Sequence, residues 1–189
     1  MKNPFTKKET AILAILAALG LASYLSGLDN VVADNLGVRT PTGISLFFST
    51  TYYVAFLLGG VVLATLKDRR AGAALVTSII LVFIIQAAFT QFAPRTRPPQ
   101  AQHIGDSLMH WIQESGTTSS FPSGHSGSSV AVYATLTFLG INPLSALLLM
   151  LPIPISRLLL VQHYLSDVLG GAAIGYVLAK VSFMFLKKH

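Results

Sequence analysis

Three short stretches hold the residues whose types and spacing could do chemistry. "APRTRPP", residues 93–99, supplies Arg95 and Arg97; "FPSGHSG", residues 121–127, supplies Ser123, Gly124 and His125. "SRLLLVQHYLSD", residues 156–167, supplies Arg157, His163 and Asp167. Arginine grips an oxyanion through a planar, two-pronged array of donors. Pro-Ser-Gly at the head of an apolar helix leaves backbone N–H groups free, adds a hydroxyl and permits close approach at the glycine. A helix start is itself an anion site. Together these residues imply a phosphate cradle of Arg97, Ser123, Gly124 and Arg157.

The two histidines suit different tasks. His163 and Asp167 are spaced i,i+4, one face of a helix if the turn continues between them. A carboxylate behind an imidazole sets its tautomer and stabilises the cation formed in reaction, so His163 is the better nucleophile candidate. His125 has no such partner in sequence and suits a general acid protonating a leaving oxygen. One detail works against a simple arrangement. Arg157 and His163 are six residues apart, about 120° out of phase on a straight helix. The arginine must reach around or the helix must bend, and Pro152 and Pro154 supply a cause of bending. A divalent metal on His125, His163 and Asp167 is the competing reading. The surrounding arginines argue against it, because they repel a cation and attract an anion.

The elements that must position these groups are membrane spans. Charged residues are 11% of the 189-residue chain, against about a quarter in a soluble domain. The apolar residues fall in blocks near the roughly 20 needed to cross a bilayer. Six segments read as spans: 10–26, 43–66, 71–93, 124–139, 144–163 and 167–186. The fold expected is an all-α, six-helix membrane bundle in one domain, residues 1–189, with an uncleaved first span. There are no cysteines, which excludes disulfides and thiolate chemistry.

Charge placement orients the bundle. Lys2, Lys7, Lys8, Lys67, Arg69, Arg70, Lys187 and Lys188 fall at one end, which the positive-inside rule makes cytoplasmic, with both termini. The other end receives the two longest connections, 28–42 and 95–121, and its cations are Arg39, Arg95, Arg97 and Arg157. The net charge of +6 is therefore a topology signal and not a nucleic-acid one. Because the spans alternate in direction, the three stretches meet at the outer interface. Arg39 reads as a headgroup anchor. His103, His110 and Trp111 belong to an amphipathic stretch resting at the interface.

The residues resemble the type 2 phosphatidic acid phosphatase superfamily. That family has three blocks: Lys, six residues, Arg-Pro; Pro-Ser-Gly-His; and Ser-Arg, five residues, His, three residues, Asp. Pro122-Ser123-Gly124-His125 matches the second in full, and Ser156-Arg157, His163 and Asp167 match the third at its spacing. Arg97-Pro98 matches the end of the first, but Thr90 stands where the family has Lys. The resemblance implies that His163 forms a phosphohistidine, Asp167 orients it and His125 is the general acid. It further implies that Arg97, Ser123, Gly124 and Arg157 bind phosphate without a metal or other cofactor. Arg95, two residues before Arg97, is the expected substitute for the missing Lys.

The function expected is hydrolysis of a lipid phosphate or diphosphate presented by the bilayer, at the periplasmic or extracellular face of a cell membrane. Undecaprenyl diphosphate is favoured, with phosphatidylglycerophosphate, phosphatidate or a lipid A phosphate as alternatives, on grounds of family and orientation alone. Phosphoryl transfer to another acceptor is the alternative within enzymes. A non-catalytic lipid-phosphate binder is the rival outside them, although it would have no use for His163, His125 and Asp167 together. A transporter is disfavoured, because no charge lies near the midplane of a span.

Overall fold

A computed structural model of the chain describes residues 5–37, 43–99 and 119–187. These residues form helices and turns without a strand. The helices are α1 (Lys7–Leu25), α2 (Leu28–Gly37), α3 (Gly43–Ser49), α4 (Thr51–Lys67) and α5 (Arg69–Phe92), followed by α6 (Gly124–Phe138), α7 (Pro143–Met150), α8 (Pro152–Leu159) and α9 (Leu165–Lys187). Arg39, His103, His110 and Trp111 lie outside the described residues.

Local chemistry sets the helix ends. Thr6 and Glu9 form a reciprocal capping box, with the Glu9 N–H donating to Thr6 Oγ1 at 3.2 Å and the Thr6 N–H to Glu9 Oε2 at 2.8 Å. Asp68 caps α5 by accepting from the Arg70 N–H at 2.9 Å, so α4 and α5 are joined by a single residue. The α6 helix ends at Gly140, whose φ of 83° suits glycine, with the Ile141 N–H donating back to the Leu136 carbonyl at 3.0 Å. Asn142 then caps α7 ahead of Pro143. Pro152 opens α8 at the Leu151 break.

Among the described residues, four helical stretches are long and apolar enough to cross a membrane: Lys7–Leu25, Gly43–Lys67, Arg69–Phe92 and Leu165–Leu186. The other two expected spans correspond to the 15-residue α6 and to the broken pair α7–α8, Pro143–Leu159. Large apolar side chains point outward along α1, α4 and α5, as at Ile15, Leu58 and Ile84. In water such a surface would aggregate; here it faces hydrocarbon.

The centre of the bundle is α6, packed between α9, α5 and α4. Its sequence, GHSGSSVAVYATLTF, is mostly small residues, which let helix backbones approach closely. A Cβ at Gly175 would lie 2.0 Å from the Gly127 carbonyl oxygen, and one at Gly171 would lie 2.4 Å from that of Ser123. The two helices are thus in backbone contact along their facing sides. Buried hydroxyls bond back to the helix, as in Ser128 Oγ to the Gly124 carbonyl at 2.7 Å. At the far end Glu9 of α1 accepts from Tyr176 Oη at 2.7 Å and Lys180 Nζ at 2.8 Å, both on α9.

Candidate active site

The three stretches meet at one end of the bundle, and the helix carrying Arg157 does not bend to bring this about; it stops. After Leu159 the chain leaves helical geometry for residues 160–164, with Val161 at φ 52°, a left-handed conformation uncommon for a β-branched residue. Val161 is held there by burial against Ala33 of α2 and Tyr164. The expected phase conflict between Arg157 and His163 therefore disappears, because His163 sits in the turn. For the same reason His163 and Asp167 do not share a helix face: α9 begins at Leu165.

His163 is 3% exposed, and its Nδ1 lies 2.7 Å from the Ser120 carbonyl oxygen. A carbonyl only accepts, so Nδ1 carries the proton and Nε2 keeps the lone pair. Asp167 Oδ2 is 3.9 Å from Nδ1, close enough for charge and too far for a hydrogen bond. The orienting acceptor is thus the Ser120 backbone, with Asp167 behind it. Asp167 Oδ2 accepts instead from the Tyr164 N–H at 2.8 Å, which closes the turn. On the other side Arg97 Nη1 donates to the Gln162 carbonyl and to Gln162 Oε1, both at 3.0 Å. Burial pushes the Arg97 guanidinium below its usual value, but arginine keeps its proton.

Ser123 caps α6, with its hydroxyl accepting from the Ser126 N–H at 3.4 Å and its own N–H donating to the Asp167 carbonyl at 3.1 Å. That last bond ties the helix start directly to α9. Gly124 has a packing duty as well, since a Cβ there would lie 2.2 Å from Gln86 Oε1 of α5. His125 stacks on the Tyr53 ring at 4.0 Å, and its Nε2 lies 3.2 Å from the Ser49 carbonyl oxygen, so this nitrogen is the protonated one. The hydroxyl of the same Ser49 accepts from Arg157 Nη1. Arg157 is 4% exposed, and its Nε has no hydrogen-bond partner among the described residues. A buried guanidinium N–H without an acceptor is costly and calls for one.

Arg95 is turned towards two carboxylates. Its Nη1 donates to Asp167 Oδ1 at 2.5 Å and its Nη2 to Asp29 Oδ2 at 2.8 Å. Both terminal nitrogens of this expected stand-in for the missing Lys are held by carboxylates. Thr90, at that Lys position, accepts from the Ser119 N–H at 3.3 Å and so tethers the segment leading to Ser120.

Sequence reasoning missed Ser49, Ser120, Gln162 and Asp29. Three of these, Ser49, Ser120 and Gln162, act wholly or partly through backbone carbonyls, which leave no residue-type signal. Gln162 beside His163 and Asp29, an acid in a connection of the outer end, were visible but unmarked. Among the described residues no three imidazole or carboxylate side chains are grouped to hold a metal ion. A groove of about 630 Å³ lies alongside, lined by Leu16, Leu21, Phe89, Phe121, Ser166 and Ile174.

An all-helical membrane bundle with a polar, arginine-lined site at one end is the class that fold and site define. Residues 71–189, from the first turn of α5 onward, match the PAP2 superfamily, and the chain belongs to that superfamily. It is also similar to a crystal structure described as the first transmembrane PAP2 type phosphatidylglycerolphosphate phosphatase from Bacillus subtilis. The TM-score is 0.67 at 21% identity, covering 100% of this chain and 98% of that one. The likeness is one of fold. Comparison with curated proteins gives no match.

Proposed function

We propose that the protein is a membrane lipid phosphatase that works through a phosphohistidine. The observation that carries this reading is the buried Arg157 guanidinium, whose Nε lacks an acceptor among the described residues, in the same site as an imidazole whose proton is committed to Nδ1. A phosphate group supplies the missing acceptor. Arg97, Arg157, Ser123 and the N–H groups at the head of α6 hold its oxygens. His163 Nε2 attacks phosphorus, the bond to the lipid oxygen breaks, and His125, as an imidazolium whose Nε2–H stays on the Ser49 carbonyl, gives that oxygen its Nδ1 proton. Water then attacks phosphorus, the P–N bond breaks, and His125 takes the water proton back. The imidazole is cationic while phosphorylated, with the Ser120 carbonyl and Asp167 beside its Nδ1–H.

Membership in the superfamily and a bundle wrapped in apolar side chains support a lipid substrate, with its alkyl chain in the groove lined by Leu16, Leu21 and Ile174. The lysine-rich end is assigned to the cytoplasm and the site to the outer face of the cell membrane. Undecaprenyl diphosphate is the favoured substrate; phosphatidylglycerophosphate and phosphatidate are the alternatives.

The test is phosphate release by purified protein in detergent with chelator present, the three lipids offered side by side. Release from one lipid, falling at least about a thousandfold in His163→Ala, is the expected result. Equal release by the variant removes the nucleophile assignment. Activity that chelator abolishes and a divalent ion restores moves the reading to a metal enzyme. No release, with the lipids still bound, points to transfer onto another acceptor or to a binding protein.

A further inference from the structure

Asp167 is fully buried, so its negative charge needs a partner. That partner is Arg95, which donates from Nη1 to Asp167 Oδ1 at 2.5 Å and to Ser166 Oγ at 2.6 Å. The guanidinium is itself fixed from three sides. Its carbon stands 4.2 Å from the Tyr164 ring centroid and 5.0 Å from that of Tyr24, and Nη2 donates to Asp29 Oδ2 at 2.8 Å.

Asp29 lies in α2, outside every motif block and outside the part of the chain that matches the superfamily. It is nonetheless 3% exposed and completely engaged. Its Oδ1 accepts from Ser23 Oγ at 2.7 Å and the Ser166 N–H at 3.0 Å, and its Oδ2 accepts from Ser166 Oγ at 2.5 Å as well as from Arg95. Burial alone would push this carboxyl up; the Ser166, Arg95 and Ser23 donors hold it below the ordinary range, so it is charged.

We infer that Asp29 and Arg95 are a positioning pair for the nucleophile, acting through Asp167 and not on the phosphate. The inference rests on the phosphatase reading and deepens it. Arg95 does two things. It fixes the carboxylate whose other oxygen closes the turn carrying His163, and it cancels a buried negative charge that would otherwise repel the incoming phosphate. Asp29 keeps Arg95 pointed at Asp167 and away from the cradle, tying α1, α2 and α9 together at that point. An arginine two residues before Arg97 thus serves the imidazole side of the reaction. The superfamily's missing Lys at Thr90 is not replaced on the phosphate side by Arg95.

The test compares Asp29→Asn, Arg95→Gln and Arg95→Lys with wild type on the lipid that wild type hydrolyses. Inorganic phosphate serves as a competitive inhibitor and thermal unfolding in detergent as the fold control. A positioning pair lowers kcat by about 10- to 100-fold in Asp29→Asn and Arg95→Gln while KM and the phosphate inhibition constant stay within about threefold. Arg95→Lys, which keeps the cation, recovers part of the loss. The double variant Asp29→Asn/Arg95→Gln is no slower than Arg95→Gln alone, because one acts through the other. Should Arg95→Gln not fold, the near-isosteric Asp29→Asn carries the measurement.

A raised KM and phosphate inhibition constant with unchanged kcat overturns the inference and returns Arg95 to the phosphate. Wild-type kinetics in Asp29→Asn also overturns it. In both cases release by wild type that is lost in His163→Ala leaves the phosphatase reading standing. Absence of release from wild type overturns both.

Discussion

The two histidines of the site are mounted in different ways. His125 rides on the first turn of α6, a helix welded to α9 by backbone contact and stacked on Tyr53 of α4. His163 sits in a five-residue turn with no helix of its own, laced by the Ser120 carbonyl, the Tyr164–Asp167 bond and the Arg97–Gln162 pair. Packing positions the proposed acid; hydrogen bonds position the proposed nucleophile. Packing fails all at once, because a welded pair of helices cannot yield locally. A laced turn fails by degrees, one bond at a time, each worth about 0.5–1.5 kcal/mol.

The contrast can be broken in three places, in falling order of effect. Gly175→Val should do the most, since its side chain would run into the Gly127 backbone. Destabilisation of about 3 kcal/mol or more is expected, beyond ordinary overpacking. Thermal unfolding in detergent checks it, and a folded, active variant would mean that α6 and α9 can part. Thr90→Val comes next: it removes the acceptor of the Ser119 N–H without touching either helix contact. A fall in kcat of about three- to tenfold at unchanged unfolding temperature is expected, whereas a change in KM alone would show that lacing does not govern the nucleophile. Smallest is Lys180→Met at the far end, which breaks the pair with Glu9. Turnover should stay within about twofold, with a drop in stability under about 1 kcal/mol.

Much of this arrangement was legible in the residues. The apolar blocks led to the long helices α1, α4, α5 and α9, and residue chemistry picked out the groups that the fold assembles at one end. What stayed hidden has a common cause. Arg95 and Arg97 are two residues apart with equally long side chains, and nothing in their order says which reaches a carboxylate and which reaches the His163 turn. That depends on α2 delivering Asp29 across 66 residues of sequence. The end of α8 at Leu159 was hidden too, because "LLLVQ" continues the apolar pattern of the helix and packing against Ala33 and Tyr164 holds Val161 out of it. The Ser49 and Ser120 carbonyls carry no side-chain signature at all.

The backbone contact between α6 and α9 also bears on how such a protein can diversify. Almost any side chain added at Gly171 or Gly175 meets main chain within 2.4 Å, so the inner pair is closed to tinkering. Novelty in what the site accepts has to arise at its apolar rim, from residues such as Leu16 and Leu21 of α1, which can vary without unseating the chemistry. The core of this molecule is a chassis that lineages would inherit whole, and its rim is where they would come to differ.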